Sequence, residues 1–378
     1  MKNLLINNLV DPVTGGGSVN RTIQVAEAIV KYYGNECTVL STDKGLDKKI
    51  AFKSDYFNIE LLPCLNKRFS IPLFTWRKLS EIVSDADIIH LMCHWSLINA
   101  IIYILVRIQK KPYTFCAAGT LHNYGRYTLV KRIYNFVVGK RIIKNASRCI
   151  AITQLEGKDF LDYGVAEKMI NIIPNGVDID EFYPNYQLSK VFRQKFSLKN
   201  ISYILYMGRL HIIKGPDLLL NAYLKLLSDF PEMHLVFAGP DTGFGNELIE
   251  NVQKYSLENK VHFLGYIRGD DKVGAYTGAK LLVVPSRREA MSIVALEAGA
   301  CGTPVILTTA CGFDEVENAG CKVVRPLADE LYSGMKSMLS SSNSLKETGK
   351  NFQSLILQKY TWKKTAEKYL NIADSICQ

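Results

Sequence analysis

The stretch SRREAMSIVALEAGACGTPVI, residues 286–306, contains the pattern that decides the fold. It follows the apolar run Ala279 to Pro285, which is typical of a buried parallel strand. Within it, Ser292 to Ala300 has the spacing of a helix. The segment therefore predicts a strand, a loop and a helix in succession, which is the repeating unit of an α/β sheet.

Two carboxylates flank the predicted start of this helix. Glu289 lies in the loop after the strand, and Glu297 lies about two turns into the helix. Between them the N–H groups of Ser292, Ile293 and Val294 open a helix N-terminus, which favours a phosphate. The segment thus indicates a receptor for a nucleotide sugar, with Glu289 accepting from sugar hydroxyls and Glu297 from ribose hydroxyls. On spacing alone, two ordinary surface acids remain the alternative.

A second segment, YMGRLHIIKGPDLLL at residues 206–220, supplies positive charge. The run Tyr203 to Met207 predicts a strand, and Gly215-Pro216 predicts a helix start, so Arg209 and Lys214 lie in the loop between them. In open α/β sheets, ligands bind outside the carboxyl ends of the strands. A guanidinium fork and an ammonium together favour a pyrophosphate. Alone, such a pair is usually solvated surface charge.

With these motifs the chain resembles the large retaining branch of the GT-B glycosyltransferases, of the glycosyltransferase family 4-like type. The resemblance implies a nucleotide-sugar donor, transfer with retained anomeric configuration, and no required metal or cofactor. Its other motifs run in the family's order and are Gly15-Gly16-Gly17, IPNGVD (173–178), FAGP (237–240), FLGY (263–266) and EAMSIVALE (289–297).

The site residues expected from pattern and resemblance fall into two groups. The catalytic group is Arg209, Lys214, Glu289 and His122. The donor-binding group is Gly16, Gly17, Gly208, Tyr266, Ser292, Ile293, Val294 and Glu297. The glycine run lets backbone approach the donor phosphates closely, although three glycines are also compatible with a flexible turn.

The order of strands and helices predicts two domains. A chain of 378 residues is too long for one ordinary core, and strand–helix alternation predicts parallel sheets with helices on both faces. We expect an α/β GT-B fold with two Rossmann-like domains facing across a cleft and a C-terminal helix that crosses back to the first. The expected bounds are 1–190 with 360–378 for the acceptor side and 200–358 for the nucleotide-sugar side, and the stretch 178–200 is interpreted as a hinge.

Composition indicates a cytoplasmic protein. Nine scattered cysteines without a C-x-x-C pair favour reduced thiols over a disulfide framework or a zinc site. The N-terminus has too short an apolar run for a signal peptide. The run Leu97 to Val106 is about half a membrane span, so a soluble or peripheral protein is expected.

Charge is concentrated in one part of the chain. From Ile88 to Leu155 there is no Asp or Glu, and aromatic residues are interleaved with basic ones. Such a segment favours binding to an anionic membrane surface, and peripheral association with the inner face of the plasma membrane is expected. A solvated helix face is the alternative. Binding to nucleic acid is disfavoured because no binding motif is present. The ten basic residues are Arg107, Lys110, Lys111, Arg126, Lys131, Arg132, Lys140, Arg141, Lys144 and Arg148.

Histidines are one departure from the family. Many relatives carry a histidine at a first-domain strand end, where this chain has Ala118. His122 lies four residues on, and His94 ends another strand. Either is a candidate for contact with the donor sugar or the acceptor, and a hydrogen-bonded structural histidine is the alternative for both.

The acid-free stretch also bears on mechanism. Double displacement needs an enzyme carboxylate beside the anomeric carbon, and the acceptor-side wall expected from this stretch offers none. Front-face internal return is therefore the hypothesis. Three functions remain open: a polysaccharide-building transferase with a lipid-diphosphate-linked acceptor, a GT-B enzyme with a small soluble acceptor, and a non-catalytic nucleotide-sugar-binding scaffold.

Overall fold

A computed structural model describes residues 1–46, 54–66, 70–121 and 128–377 of the chain. The chain divides into two compact units with one large parallel sheet each. The N-terminal unit comprises Met1–Asn175 and Trp362–Gln378, and the C-terminal unit comprises Gly176–Thr361. The chain therefore leaves the first unit within the IPNGVD motif and returns at the start of the last helix.

The N-terminal sheet has seven parallel strands in the order β3-β2-β1-β6-β7-β8-β9. Strand β6 is buried along its whole length, as expected where helices cover both faces of a parallel sheet. The strands are β1 (Lys2–Ile6), β2 (Glu36–Thr42), β3 (Asn58–Leu62), β6 (Ile88–Met92), β7 (Tyr113–Cys116), β8 (Arg148–Ala151) and β9 (Ile170–Ile172), with a small antiparallel pair, β4 (Cys64–Asn66) and β5 (Ile71–Pro72).

Three helices of the N-terminal unit, which begin at Trp76, Leu97 and Gln154, have side-chain caps. Thr75, Ser96 and Thr153 each accept a hydrogen bond from an N–H of the first turn, which satisfies one of the donors that a helix start leaves free. The helices are α1 (Pro12–Tyr33), α2 (Trp76–Asp85), α3 (Leu97–Ile108), α4 (Thr128–Tyr134), α5 (Lys140–Lys144), α6 (Gln154–Asp162) and α14 (Trp362–Cys377), with a π-helical turn Asn135–Gly139 between α4 and α5.

The C-terminal sheet has six parallel strands in the order β12-β11-β10-β13-β14-β15. Its strands are β10 (Ser202–Met207), β11 (Met233–Ala238), β12 (Val261–Gly265), β13 (Leu281–Val284), β14 (Val305–Thr308) and β15 (Lys322–Val324). Its helices are α7 (Tyr186–Lys195), α8 (Pro216–Leu226), α9 (Gly245–Lys254), α10 (Asp270–Gly278), α11 (Ile293–Ala300), α12 (Ala328–Leu339) and α13 (Ser342–Lys359).

The predicted fold class is confirmed. Both units have the parallel sheet and flanking helices of a Rossmann-like domain. The return of the last helix to the first unit is also confirmed, because α14 packs against α1. The Tyr33 hydroxyl donates to the Lys363 carbonyl at 3.1 Å across that contact.

The predicted hinge between residues 178 and 200 is wrong in its secondary structure. Helix α7 occupies its centre, capped by Asn185, whose side chain accepts from the N–H groups of Gln187 and Leu188. The buried Phe192 ties this helix to the Tyr203 ring. A polar composition concealed one amphipathic helix, because only one face of α7 needs apolar side chains.

Among the described residues, none of the helices has the length and apolar character needed to cross a bilayer. All nine cysteines lie in these residues, and none of them forms a disulfide. Helix α3, which contains the apolar run Leu97 to Val106, instead contributes to the core of the N-terminal unit.

Candidate active site

The point at which the order of the C-terminal sheet reverses lies between β10 and β13. These strands are hydrogen-bonded neighbours, with Ile204 opposite Leu281 and Leu205 opposite Leu282. In sheets of this kind the crevice outside the carboxyl ends at the reversal is where ligands bind. The loops that follow the two strands carry Arg209 and Lys214 on one side and Glu289 on the other.

Backbone and side-chain hydrogen bonds join these two loops. Lys214 Nζ pairs with Glu289 Oε2, and the two side chains are 22% and 19% exposed. Two residues before Glu289, the Arg287 N–H donates to the Ile213 carbonyl at 2.8 Å, and its guanidinium binds both carboxylate oxygens of Asp217. The predicted proximity of Lys214 and Glu289 is therefore what the structure shows.

Glycine makes this close approach possible. Gly215 has φ +69°, and a Cβ built on it would lie 2.1 Å from the Pro285 carbonyl oxygen. Only glycine avoids both the left-handed strain and the clash. The same residue precedes Pro216 at the start of α8, so the turn that carries Lys214 is held directly against the end of β13.

Arg209 presents an exposed cation in the loop that also carries Lys214. Its side chain is exposed, and no described residue forms a hydrogen bond or ion pair with its guanidinium. Its carbonyl accepts from the Tyr206 hydroxyl at 2.7 Å, which fixes the loop backbone. Burial raises the pKa of Tyr206 well above its usual value, the Glu289 carboxylate adds to that effect, and Arg209 opposes it. Tyr206 therefore stays protonated and acts as a structural donor.

Ser292 caps the helix that follows. Its Oγ accepts from the Ala295 N–H at 3.4 Å, and serine is among the residues favoured at this position. Helix α11 begins at Ile293, so the N–H groups of Ile293 and Val294 have no carbonyl within the helix to bond. Their contact with a phosphate stays a prediction.

Glu297 is held by a different lysine. Its Oε1 accepts from Lys272 Nζ at 2.7 Å, and its Oε2 accepts from the Tyr276 hydroxyl at 2.6 Å. Glu297 is on α11 about 6 Å along the axis from Ile293. No described contact joins it directly to Arg209, Lys214 or Glu289. Glu289 is thus in direct contact with one of the two cations, and the convergence of all four side chains around one donor stays a prediction.

Lys272 and Tyr276 were not predicted from the sequence. They are four residues apart on α10, directly before the strand β13 that leads to Glu289. A lysine and a tyrosine at i and i+4 on a helix lie on one face, and this spacing is the sequence feature that could have indicated a shared partner.

Other predicted donor-side residues lie at the carboxyl ends of neighbouring strands. Gly208 follows β10, and its N–H donates to the Ala238 carbonyl at 2.9 Å. Gly265 ends β12, and the next residue, Tyr266, is exposed. Both positions are on the edge of the sheet that carries Arg209. Their contact with a donor stays a prediction.

The glycine run of the N-terminal unit lies within helical structure that is broken at one glycine. Helical structure begins at Pro12 and continues to Tyr33, with a break at Gly16, where φ is +62° and ψ is −150°. Gly17 is exposed next to that break. The run follows β1, next to the point where the order of the N-terminal sheet reverses between β1 and β6. The role of Gly16 and Gly17 in phosphate contact stays a prediction.

His94 is enclosed by aromatic rings, which favours the alternative of a hydrogen-bonded structural histidine. The residue is fully buried among the rings of Trp95, Phe115, Tyr134 and Tyr163. Its Nε2 lies 2.7 Å from the Oδ1 of Asn135, on the π-helical turn. Burial lowers the pKa of His94 to about 4, so the ring is neutral near pH 7. A strand-end position alone could not reveal this aromatic enclosure.

The basic segment is a helical surface rich in exposed apolar side chains. Helix α4, the π-helical turn and α5 form one continuous stretch, residues 128–144. Phe136 is 83% exposed and Leu129 is 68% exposed, and Ile133 and Val137 are exposed as well. Lys131 lies over the Trp95 ring at 5.3 Å. The basic side chains Arg132, Lys140 and Arg141 are exposed on the same stretch, whereas Arg126 and His122 lie outside the described residues.

Two buried charged residues of the N-terminal unit also went unpredicted. Arg21 is 1% exposed and donates to Asn175 Oδ1 at 2.7 Å and to the Ile173 carbonyl at 2.8 Å. Glu156 accepts from the N–H groups of Gly119 and Ile152. Burial raises the pKa of Glu156, and these backbone donors oppose that effect. Both residues therefore fix backbone at the carboxyl edge of the N-terminal sheet.

Known families match most of the chain. The family described as glycosyl transferases group 1 matches residues 189–354, and the family described as glycosyltransferase family 4 matches residues 15–181. The two matches are consecutive and cover both units. The chain belongs to the glycosyltransferase 4-like family.

Curated relatives align with part of this glycosyltransferase 4-like chain. A D-inositol 3-phosphate glycosyltransferase of Corynebacterium jeikeium is 32% identical over 193 residues, which is 48% of this chain and 45% of that protein. A mannosylfructose-phosphate synthase of Agrobacterium fabrum is 37% identical over 155 residues, 39% of this chain and 34% of that protein. The aligned part therefore spans less than half the length of either relative.

A solved structure extends the similarity of fold to the whole chain. Anabaena Alr3699/HepE, determined in complex with UDP-glucose, superposes with a TM-score of 0.80 at 20% identity, covering 99% of this chain and 100% of that one. The glycosyltransferase 4-like chain thus has the GT-B fold.

Proposed function

We propose that this chain is a retaining glycosyltransferase that moves a sugar from a nucleoside diphosphate donor to a glycan acceptor. The observation that carries the proposal is the Lys214–Glu289 pair, with the exposed Arg209 in the same loop as Lys214, at the reversal point of the C-terminal sheet. An ion pair next to a second cation offers a diphosphate two positive charges and offers a sugar hydroxyl one carboxylate. Family membership and the UDP-glucose complex of HepE support the donor class.

Charge stabilisation at the leaving group is the central step of the proposed reaction. As the bond between the anomeric carbon and the diphosphate breaks, negative charge grows on the leaving oxygen. Arg209 and Lys214 would stabilise that charge without a metal, because preorganised cations act strongly where water is excluded. Glu289 would orient the sugar by accepting from its hydroxyls.

The proposed retention follows front-face internal return. The acceptor oxygen bonds the anomeric carbon on the face that the diphosphate leaves, and its proton passes to a departing phosphate oxygen. Support comes from how three carboxylates are engaged: Glu289 pairs with Lys214, Glu297 binds Lys272 and Tyr276, and Glu156 binds backbone N–H groups. Each carboxylate already accepts hydrogen bonds or pairs with a cation, and this engagement disfavours it as a covalent nucleophile.

A panel of UDP-, GDP- and ADP-sugars tests the donor class. We expect one donor to raise the unfolding temperature, since a ligand bound only by the folded state stabilises it by mass action. With that donor, NMR of the product should show the donor's own anomeric configuration. An inverted product, or a glycosyl adduct trapped on an Asp or Glu, would contradict the proposed mechanism. Absence of stabilisation by every donor would contradict the proposed function.

For the acceptor we propose a lipid-diphosphate-linked glycan used at the inner face of the plasma membrane, in surface polysaccharide synthesis. The exposed Phe136, Leu129 and Ile133 alternate with Arg132 and with the basic residues of α5. Apolar side chains beside cations match an anionic bilayer, where the rings enter the interface and the cations meet lipid phosphates.

A small phosphorylated acceptor is the second candidate. It is favoured by the names of two curated relatives, D-inositol 3-phosphate glycosyltransferase and mannosylfructose-phosphate synthase. On this alternative the exposed basic segment is a solvated face, and membranes play no part in turnover.

Vesicle sedimentation separates the two acceptor classes. We expect binding to phosphatidylglycerol-containing vesicles that weakens with salt, and an approximately 10-fold loss for Phe136→Ser because one large apolar side chain leaves the interface. The control is Val191→Ser, an exposed apolar residue of α7 in the other unit. Equal sedimentation of both variants with wild type, or no binding at any salt concentration, would favour the soluble acceptor.

A further inference from the structure

Glu297 has both carboxylate oxygens bonded by side chains of one helix. Lys272 reaches Oε1 at 2.7 Å, and the Tyr276 hydroxyl reaches Oε2 at 2.6 Å. The two donors are four residues apart on α10, so they lie on one face of it. Glu297 is 6% exposed, and these two contacts therefore fix the orientation of a nearly buried carboxylate.

The two donors are themselves held in place. Tyr276 is fully buried, and its ring packs edge-on against Phe182. Burial, followed by the Glu297 carboxylate, raises the pKa of Tyr276 well above its usual value, so its hydroxyl remains a donor. The Lys272 ammonium lies 5.3 Å from the centre of the same Phe182 ring.

A carboxylate held in this way keeps acceptor capacity for a second pair of donors. Each oxygen has two lone-pair directions, and α10 uses one on each. The vicinal 2′- and 3′-hydroxyls of a ribose present two O–H donors side by side, which matches two neighbouring carboxylate oxygens. A glutamate already fixed by packing and hydrogen bonds loses little further rotamer entropy when it binds.

We propose that Lys272 and Tyr276 are positioning residues that hold Glu297 in the orientation in which it receives the ribose hydroxyls of the donor. The inference rests on the proposed function and deepens it. The positive charge of Lys272 also offsets part of the free-energy cost of burying the Glu297 carboxylate. Neither residue contacts the donor in this arrangement; both act through Glu297.

The test compares ribose with dideoxyribose nucleotides. Calorimetric titration of UDP, GDP and ADP and of their 2′,3′-dideoxy forms gives, for the base that binds, the ratio of the two affinities. We expect wild type to prefer the ribose form by about 10-fold or more, as hydrogen bonds to a charged acceptor allow. In Lys272→Met and Tyr276→Phe the preference should fall below about 3-fold, with the affinity for the dideoxy form nearly unchanged. Lys272→Arg should restore part of it.

Lys195→Met is the matched control. Lys195 pairs with Asp271, the neighbour of Lys272 on α10, at 2.6 Å, and it also lies 5.3 Å from a phenylalanine ring. Its loss should leave the ribose preference at the wild-type value. A full preference in folded Lys272→Met and Tyr276→Phe overturns the positioning role and leaves the proposed function intact. If wild type binds none of the nucleotides, the proposed function and this inference fail together, before any variant is compared.

Discussion

Replacing Lys214 by methionine should lower kcat/KM for sugar transfer by about 10²- to 10³-fold, the usual cost of removing one preorganised group that stabilises a developing anion. Lys214 Nζ pairs with Glu289, and the side chain is only 22% exposed, so its charge acts where water is partly excluded. Most of the loss should be in kcat, because charge on the leaving diphosphate is greatest in the transition state. Initial rates with the stabilising donor give the measurement.

Lys225→Met is the control for this experiment. Lys225 is on α8, the helix that follows the Lys214 turn, and it pairs with Asp329 at the surface. An exposed pair contributes little to stability, so this variant should keep wild-type rates. Lys214→Arg should recover only part of the rate, since a planar fork does not occupy the same position as an ammonium. Turnover of folded Lys214→Met within about 3-fold of wild type would show that the ion pair is structural.

The second large effect concerns stability of the N-terminal unit. Arg21→Met should lower its free energy of unfolding by about 3–5 kcal/mol, because each buried acceptor left without its donor costs about 1–3 kcal/mol. The Arg21 guanidinium is shared by Asn175, the Ile173 carbonyl and the Tyr369 hydroxyl, and its loss leaves those acceptors buried without their donor. The segment that contains Ile173 and Asn175 would lose its attachment to α1, and so would helix α14.

Tryptophan fluorescence makes this measurement specific. The chain has three tryptophans, Trp76, Trp95 and Trp362, and all of them belong to the N-terminal unit. Urea unfolding followed by fluorescence therefore reports on that unit. Arg148→Met is the control, because this partly exposed β8 arginine donates to the Ser147 carbonyl, and its loss should cost about 1 kcal/mol. Similar midpoints for the two variants would contradict the role given to Arg21.

Strand–helix alternation was readable from the sequence because parallel strands are continuous apolar runs. The runs around Ile88, Tyr203 and Leu281 are buried strands, and the helix predicted from Ser292 to Ala300 is α11. The contact between Lys214 and Glu289 was also predictable, because neighbouring strands in a parallel sheet end at one edge. These predictions depend on local pattern and on one topological rule.

What the sequence could not show depends on packing between distant segments. His94 has the position of a functional histidine, yet the ring of its neighbour Trp95 and three rings from more distant segments enclose it. The partners of Glu297 lie on α10, more than twenty residues before it, so spacing within the E-x7-E motif carried no sign of them. Helix α7 was hidden by its polar composition, since a single buried face is enough to hold it.

Binding of the donor diphosphate by the loops after β10 and β13 can be observed in a crystal structure with the tightest-binding nucleoside diphosphate. We predict phosphate oxygens within hydrogen-bonding distance of Arg209 and of Lys214 Nζ, with the start of α11 facing the same diphosphate. A diphosphate bound elsewhere, with Arg209 still in solvent and Lys214 paired only with Glu289, would contradict the account.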